Sequence, residues 1–430
     1  MVYCSAVQQT SLNRPVAPAR RGRKPRPKVR EEDLFGGKYV RMLQSHLLRL
    51  RAAQSHPNRT LFYDDLAIAY LLAFFTPAIR SLRTMEDFSQ TSVMQEHLYN
   101  DRLARSTLSD ANKVFDPTLL EPIIEELRAR LPHLPHTDPL LGELTDRVRV
   151  ADGSFFTVAG DVAWALQRRR AGGKPQNAIR LNLQWAAARG VPEGLSISGK
   201  EISESAALMQ AIEPGVIYVM DRGYINFELL DRIVHAPSDF VLRLKTNNYF
   251  IASENNDLSP KFRPLCQEDH EAFILSDQTG HLGGLAARFP PPAGSLRLIT
   301  IFNPDHPDEP IRLLSNLIDV PAHIVAALYR WRWKIELFFR WLKVHAHFRH
   351  LTSHSKNGVT LGFYIAIIGV LLIYLHTQRP VNKYAYAMLS LVAAGSATLA
   401  DIAPILERRE RECQLARARL ERKKAEKKSK

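Results

Sequence analysis

The chain has 430 residues, with 58 Lys and Arg against 44 Asp and Glu, and a formal net charge of +14. This length allows two or three domains with a buried apolar core. The three cysteines, Cys4, Cys266 and Cys413, lie far apart and form no ligand pair. Their spacing argues against a disulfide scaffold or a structural zinc site and indicates a reducing compartment.

The excess positive charge lies in two tails. Residues 1–30 contain eight Lys and Arg and no acid, and residues 407–430 contain eleven Lys and Arg against five Glu. Cationic ends on a formally neutral body indicate a polyanion partner, because phosphate contacts release counterions and need no fixed geometry. Residues 1–36 are therefore predicted to be a disordered basic arm. Within it, Arg21–Pro27 is loosely similar to an AT-hook, although a non-specific phosphate-binding arm is favoured.

Residues 37–145 are predicted to form a helical DNA-binding domain. Three stretches have a helical pattern: Tyr63–Phe75, Thr84–Gln90 and Leu119–Leu131. Ser106 and Thr107 are typical of the start of another helix. A helix-turn-helix in this bundle would place one helix in a DNA groove, while a bundle that only packs on the next domain is the alternative. Prolines and a glycine in residues 131–145 predict a linker.

Two aspartates follow predicted strands. Residues 147–154 alternate as a strand that stops at Asp152, and the apolar run Gly215–Met220 is typical of a buried strand that stops at Asp221. Further strands are predicted at Phe155–Val158, Ala178–Trp185 and Phe240–Lys245, and a helix at Ser203–Ile212. Residues 246–315 show short strand-like runs, proline clusters and no long helix. They predict a β-rich region whose clearest strands are Arg297–Phe302 and Ile311–Leu314.

The stretch Val359–Leu375 is strongly apolar. It is at the short edge of the ~20 residues that cross a bilayer, so a buried core helix is predicted. A membrane span is the alternative, and on that alternative the chain would be a membrane or scaffold protein.

The segment Tyr329–Lys343 has a helical pattern that begins after Pro321 and in which four polar side chains share one stripe. At about 100° per residue, Tyr329, Arg332, Glu336 and Lys343 lie within roughly 60° of one another. Seven apolar residues fall on the other side: Leu328, Trp331, Ile335, Leu337, Phe338, Trp341 and Leu342. One amphipathic helix is predicted, with its apolar side buried and its polar stripe outward. A solvated surface helix with ordinary charge pairs is the alternative.

Four histidines follow this helix: His345, His347, His350 and His354. Only His350 and His354 share a helical face, and no cysteine or carboxylate adjoins them in sequence, so zinc binding is not favoured. Contact with phosphate or water is the preferred interpretation.

Three motifs resemble those of DDE transposases of the insertion-sequence-four family. The four stripe residues fill the pattern Tyr-x2-Arg-x3-Glu-x6-Lys, Asp221–Tyr224 reads Asp-Arg-Gly-Tyr, and Ser106–Asn112 is similar to a segment that precedes the catalytic domain. The resemblance implies an α/β fold with a ribonuclease-H-like mixed sheet at residues 146–376, and the β-rich insertion placed before the last catalytic helix. Residues 377–430 become a C-terminal helical region and basic tail, in which a helix at Ile405–Arg422 is a candidate for self-association.

The resemblance also implies the chemistry. Asp152, Asp221 and Glu336 would be the catalytic residues and the ligands of two Mg²⁺ ions, for which Mn²⁺ can substitute. Three converging carboxylates repel one another without a cation, so their convergence itself favours a metal. The implied reaction nicks DNA at each transposon end and joins the freed 3′-hydroxyl to target DNA by phosphoryl transfer. The alternative is a catalytically inactive, transposase-derived DNA-binding protein.

Six residues are predicted to contact DNA: Tyr329, Arg332, Lys343, Arg222, Tyr224 and Trp333. Trp333 lies nearest the polar stripe and could stack on an unpaired base, whereas Trp331 and Trp341 are assigned to the core. Arg222 and Tyr224 could instead support Asp221. The implied partners are inverted repeats at the transposon ends and target DNA, with a homodimer in the DNA complex and no membrane. The resemblance places the protein in the bacterial cytoplasm, associated with the nucleoid.

Overall fold

The computed structural model has a mixed α/β architecture, with one large sheet and helices on both of its faces. It describes residues 43–53, 61–76, 78–95, 97–134, 136, 138–157, 164–168, 176–199, 202–256, 274–283, 294–303, 306–344, 353–377 and separate positions between 384 and 419. The predictions for the basic arm 1–36, for His345, His347 and His350, and for most of the C-terminal region 377–430 lie outside these residues.

Helices dominate the part of the chain that precedes the sheet. They are α1 (Gln44–Ala52), α2 (Tyr63–Phe75), α3 (Leu82–Ser89), α4 (Ser92–Gln95), α5 (Arg105–Val114), a 3₁₀ turn (Pro117–Leu120), α6 (Glu121–Ala129) and α7 (Pro139–Thr145). Helix α2 has an apolar side chain at nearly every position and is buried along most of its length, so packing rather than amphipathicity stabilises it. The helical character predicted for this region is confirmed.

Two predictions in this region are wrong in detail. Helix α5 begins at Arg105 and its N-cap residue, Ala104, makes no side-chain cap, so Ser106 and Thr107 lie inside the helix. The stretch predicted as a linker contains α7, because the Asp138 carboxylate accepts the backbone N–H groups of Leu140 and Leu141 and starts a helix there.

Ten strands pair in a single sheet. They are β1 (Val148–Thr157), β2 (Leu166–Arg168), β3 (Gln176–Ala186), β4 (Val191–Ser198), β5 (Ile217–Met220), β6 (Asp239–Leu244), β7 (Tyr249–Asn255), β8 (Ile274–Gly283), β9 (Leu296–Ile301) and β10 (Ile311–Ser315). The order is β2-β3-β1-β5-β6-β10-β9-β8-β7, and β4 also pairs with β3. Strands β1, β5 and β6 are parallel, and β3 and β4 are antiparallel to their neighbours. The predicted α/β fold class, with a mixed sheet and flanking helices, is confirmed.

The first strand is longer than predicted. Residues 148–157 form one strand rather than two, so Asp152 lies in the middle of β1 and not at its end. The parallel pairing of β1 with β5 nevertheless stops at Ala151 and Met220, while the antiparallel pairing with β3 continues. Asp152 is therefore the first residue of β1 beyond the section that pairs in parallel with β5. Strands β2 and β4 were not predicted.

The β-rich insertion extends the main sheet instead of forming a separate layer. Strand β10 pairs with β6, and β9, β8 and β7 follow outward from it. The strands predicted at 297–302 and 311–314 are confirmed as β9 and β10 within one residue at each end. Helices α8 (Glu204–Met209) and α9 (Phe227–His235) pack on one face of the sheet with a core of their own.

Three helices complete the described fold: α10 (Ala322–Arg330), α11 (Arg332–Val344) and α12 (Lys356–Thr377). The single helix predicted across 329–343 is interrupted at Trp331, whose N–H bonds the carbonyl of Leu328 (3.1 Å) with the tighter, 3₁₀-like spacing. Trp331 is 5% exposed, so the interruption keeps its ring in the core.

Helix α12 is long and apolar enough to cross a membrane by length and composition alone, and 83% of its most apolar window is buried in the structure. It packs against α2, α6 and the sheet, and one apolar core continues from the N-terminal helices through α12 to β1 and β3. The buried core helix predicted at 359–375 is confirmed.

Candidate active site

Asp152 lies on the face of β1 that α11 covers. Two residues further along the strand, Ser154 accepts a hydrogen bond from Lys343 Nζ (2.7 Å), and the same Nζ lies 5.1 Å from the centre of the Phe156 ring. Residues 152, 154 and 156 share a face because side chains alternate along a strand. Lys343 therefore anchors α11 beside Asp152 as well as carrying a positive charge there.

Asp221 lies directly after β5, as predicted, where the strand ends in a 3₁₀ turn at Arg222–Tyr224. Its Oδ1 atom accepts a long hydrogen bond from the hydroxyl of Tyr329 (3.4 Å), which comes from the end of α10. Tyr329 is 7% exposed. Burial raises the pKa of Tyr329 to about 12 even though the nearby Arg332 opposes the shift, so its hydroxyl stays protonated and acts as a donor.

Arg332 pairs with Glu336 and lies within electrostatic range of Asp152 and Asp221. Its Nη1 donates to Glu336 Oε1 at 2.5 Å, one helical turn away on α11. Burial alone would lower the pKa of Arg332, but Tyr329, Asp221 and Glu336 outweigh it and raise the pKa above its usual value. The same guanidinium opposes the upward shift of the Asp152 pKa. The structure therefore brings Asp152, Asp221 and Glu336 into electrostatic range of one guanidinium.

The pKa of Asp152 is raised well above its ordinary value. Burial raises its pKa to about 7, and the neighbouring carboxylates of Glu204 and Glu336 add to the rise. A hydrogen bond from the Gly153 N–H to Oδ1 (2.8 Å) and the charge of Arg332 act in the opposite direction. Burial of the carboxyl group, more than the neighbouring acids, therefore accounts for the raised pKa of Asp152.

The predicted DNA contacts divide into exposed and buried residues. Arg222 is exposed, and Trp333 is 51% exposed with the Arg340 guanidinium 5.8 Å from its ring centre. Tyr224 is 2% exposed, because the 3₁₀ turn points its ring into the core between the sheet and α8 and α9. The prediction that Tyr224 contacts DNA is therefore wrong.

The polar stripe of the segment Tyr329–Lys343 does not face solvent. Tyr329 is buried, and the Arg332 side chain is only 15% exposed, because both point toward the aspartates on the sheet. On the opposite side, Trp331 and Trp341 are buried as predicted, whereas Leu337 is 45% exposed and does not belong to the core. The outward orientation predicted for the stripe is wrong, and the exposed surface of α11 is instead formed by Trp333, Leu337 and Arg340.

Sequence reasoning missed Glu204, which lies close to the aspartates. It is in the first turn of α8, after the N-cap residue Ser203. A serine followed by a glutamate at a helix start is an ordinary capping pattern, so the sequence contains no signal that separates this acid from any other helix-start acid.

The fold thus places two aspartates and one glutamate around a single guanidinium at one edge of the parallel strands of a mixed α/β sheet. The chain belongs to the transposase DDE domain family, whose model matches residues 143–372. It is 27% identical over 228 residues to a putative transposase of Sinorhizobium fredii, covering 53% of this chain and 60% of the relative. It is 26% identical over 234 residues to a probable transposase for an insertion sequence element of Geobacillus stearothermophilus, covering 54% of this chain and 57% of the relative. The matched regions thus span about 60% of the length of these relatives.

One solved structure that resembles the chain is a piggyBac transposase synaptic complex with hairpin DNA, determined by electron cryo-microscopy. The match has a TM-score of 0.41 and 9% sequence identity, and covers 87% of this chain and 80% of that chain.

Membership of the DDE transposase family implies the use of divalent metal ions, and the chemistry of the three side chains suits such ions. Asp152, Asp221 and Glu336 offer carboxylate oxygens, the hard ligands that Mg²⁺ prefers. In the part of the chain that the structure describes, no group of three His, Cys, Asp or Glu side chains is arranged to hold a metal ion. Three acids lie beside two cations, Arg332 and Lys343, so the carboxylates outnumber the positive charges, which favours an added cation.

The raised pKa of Asp152 predicts a pH dependence of stability in metal-free protein. The pKa of Asp152 is about 7 in the folded state against an ordinary value of 3.8, so the folded state binds an extra proton between these pH values. The stabilising effect of that proton is fully present below about pH 4 and is lost as the pH rises through about 7. Between pH 6 and 8 the loss is about 1 kcal/mol. Urea unfolding in EDTA should show this loss in wild type and not in Asp152→Asn; equal pH slopes in both proteins would contradict the prediction.

Proposed function

We propose that this protein is a DNA transposase that nicks DNA at the ends of its own insertion sequence and joins the freed 3′-hydroxyl to target DNA. The observation that carries the proposal is the gathering of Asp152, Asp221 and Glu336 around Arg332 at the end of the parallel strands. The three acids come from distant parts of the chain. Their proximity to one another has no role in packing, since each could be solvated separately at lower cost.

The acids would hold the divalent cations. Asp152, Asp221 and Glu336 are the residues that would bind two Mg²⁺ ions, or Mn²⁺ in their place. Bound there, the ions would supply positive charge to the attacking and leaving oxygens of the phosphodiester. A cation at Glu336 competes with Arg332 for the same carboxylate, which would free the guanidinium to contact a phosphate.

The basic residues of the site would hold the DNA strand. Arg332 and Lys343 lie beside the acids, and Arg222 is exposed at the turn after Asp221. Tyr329 is buried and points its hydroxyl at Asp221, so it would meet only a phosphate that has already entered the acid site. It stays protonated and bonded to a carboxylate, and its role is that of a donor rather than a nucleophile.

The finer identity and the partners follow from the sequence motifs. The Tyr-Arg-Glu-Lys pattern supports assignment to the insertion-sequence-four family. The helices before the sheet would bind the inverted repeats at the transposon ends, and the basic arm at residues 1–36 would add non-specific phosphate contacts. Cleavage of two ends supports a homodimer in the DNA complex, acting at the nucleoid of the bacterial cytoplasm.

End-specific nicking tests the proposal. Purified protein is incubated with Mg²⁺ and a duplex carrying the inverted repeat that flanks its gene, alongside a duplex of the same composition with a scrambled repeat. We expect a nick that leaves a 3′-hydroxyl at the repeat boundary of the first duplex, and none on the second duplex or in EDTA. Binding of the repeat without any nick in Mg²⁺ or Mn²⁺ would overturn the proposal and favour an inactive DNA-binding protein.

Trp333 is expected to stack on an unpaired base at the cleaved end. It is 51% exposed on the surface of α11, and a base stacked on an aromatic ring contributes about 1–3 kcal/mol. Trp333→Ala should therefore weaken binding of an end duplex with a single-stranded overhang by about tenfold or more. Fluorescence anisotropy measures the change, with Leu337→Ala as a matched exposed control on the same helix face. Equal affinities of wild type and Trp333→Ala would contradict this role.

A further inference from the structure

Glu204 lies between the two segments that carry the aspartates. Its Oε1 atom is 2.7 Å from the position that a Cβ at Gly153 would occupy, and its Oε2 atom is 3.5 Å from the corresponding position at Gly223. One carboxylate therefore lies against the residue after Asp152 and also against the second residue after Asp221. Nothing in the packing of α8 requires this, since Leu208 is the residue that α8 buries in the core.

An ion pair holds the carboxylate in this position. Arg180 on β3 places its Nε 3.2 Å from Glu204 Oε1, and the two side chains are 16% and 24% exposed. The Arg180 guanidinium also lies 4.8 Å from the ring centre of Phe155 and donates from Nη1 to the carbonyl of Ile202 (3.2 Å). Arg180 thus ties the start of α8 to the β1–β3 pair, and Glu204 cannot leave Gly153 without breaking this pair.

The charge of Glu204 also acts on the site. It adds to the upward shifts that burial gives the pKa values of Asp152 and Tyr224. Because neighbouring residues of a strand point to opposite faces, the Glu204 carboxylate beside the Cβ position of Gly153 lies on the face of β1 opposite α11.

We infer that Glu204 is a positioning residue of the DDE site: its carboxylate, held by Arg180, sets the position of Asp152 relative to Asp221. The inference rests on the proposed function, because the positioning matters only for cleavage. It gives Gly153 a reason to lack a side chain, since a Cβ there would displace the Glu204 carboxylate. At Gly223 the corresponding distance is an ordinary van der Waals contact, so the same substitution should disturb the carboxylate less.

Glu204→Gln and Glu213→Gln form a matched pair for the test. Both glutamates line a cavity of about 470 Å³ between α6, α8 and the sheet, and only Glu204 reaches the aspartate motifs. In Glu204→Gln the size of the side chain is kept and its charge is lost. We expect the single-turnover nicking rate at saturating DNA to fall about tenfold in Glu204→Gln, since small misplacements of reacting groups are costly. Neither the DNA dissociation constant, measured without divalent cation, nor the melting temperature should change. Glu213→Gln should behave as wild type in all three measurements.

Gly153→Ala tests the same contact from the other side. The added methyl group should push the Glu204 carboxylate away and slow nicking by about 10²-fold, with a smaller effect for Gly223→Ala. In a double-mutant cycle, Glu204→Ala removes the obstacle, so Gly153→Ala should cost little further rate in that background. Additive losses would overturn the inference.

The outcomes separate the inference from the proposed function. A wild-type nicking rate in Glu204→Gln overturns the inference and leaves the transposase assignment intact. A fall in rate matched by a fall in melting temperature also overturns it, because Glu204 would then be only structural. If wild-type protein does not nick its cognate ends at all, the proposed function fails and the inference fails with it.

Discussion

Asp152→Asn should reduce nicking at the cognate ends by about 10³-fold, because loss of a catalytic carboxylate removes several kcal/mol of charge stabilisation. The substitution keeps the size of the side chain and its acceptor oxygen, so the hydrogen bond from the Gly153 N–H (2.8 Å) can be retained. Single-turnover cleavage of an end-labelled duplex in Mg²⁺ measures the loss. Asp221→Asn and Glu336→Gln should show losses of similar size, since the three acids act as one unit.

Stability separates this loss from misfolding. In metal-free protein at pH 8, Asp152→Asn should be at least as stable as wild type, because the substitution removes a carboxylate whose pKa is raised to about 7 and whose ionised form is therefore disfavoured. Asp231→Asn is a suitable control, because Asp231 is an acid on α9 whose side chain is 46% exposed and pairs with the exposed His235. It should cleave as wild type. Full cleavage by Asp152→Asn would remove Asp152 from the site.

The positions of the three acids could be predicted because each is marked by local sequence. The run that ends at Met220 is continuously apolar and buried, so the strand and the aspartate after it are both evident. Glu336 is marked by its place in the Tyr-Arg-Glu-Lys pattern, and in the structure its side chain pairs with Arg332. Asp152 is marked by the strand-like alternation that leads up to it, although the strand continues past it to Thr157. Pairing partners, rather than local sequence, decide where a strand ends.

What could not be predicted depends on contacts between distant residues. Tyr224 reads as part of a polar motif, and only the turn that follows β5 points its ring into the core. The interruption at Trp331 has no sequence signal either, because every residue from 329 to 343 suits a helix. It accompanies the packing of the Trp331 indole ring in the core. Glu204 reaches the aspartates only because Arg180, 24 positions earlier, lies beside it on β3. Long-range geometry of this kind has no signature in a single sequence.

A buried ion pair sets the starting point of the helices that carry Tyr329 and Glu336. Arg297 on β9 makes a two-point pair with Asp277 on β8, with Nε to Oδ1 at 2.8 Å and Nη2 to Oδ2 at 2.5 Å. The side chains are 8% and 3% exposed. The remaining nitrogen, Nη1, donates to three carbonyl groups in the segment just before α10: Leu317, Ile318 and Val320. Strands β8 and β9 therefore fix the position at which the chain leaves the sheet and enters α10.

Asp277→Ala should lower the free energy of unfolding by about 3–5 kcal/mol, because it leaves the Arg297 charge buried and unpaired. Urea denaturation measures the change. Glu228→Ala, which breaks the exposed pair with Arg232 on α9, is the matched control and should cost less than about 1 kcal/mol.

Replacing both partners, as in Asp277→Leu with Arg297→Met, should cost less than Asp277→Ala alone, since no charge is then left unpaired. The double variant also loses the bonds from Nη1 to the segment before α10. It should therefore nick DNA more slowly than wild type even though it is more stable than Asp277→Ala. A double variant as unstable as Asp277→Ala would mean that packing, and not the unpaired charge, determines the cost.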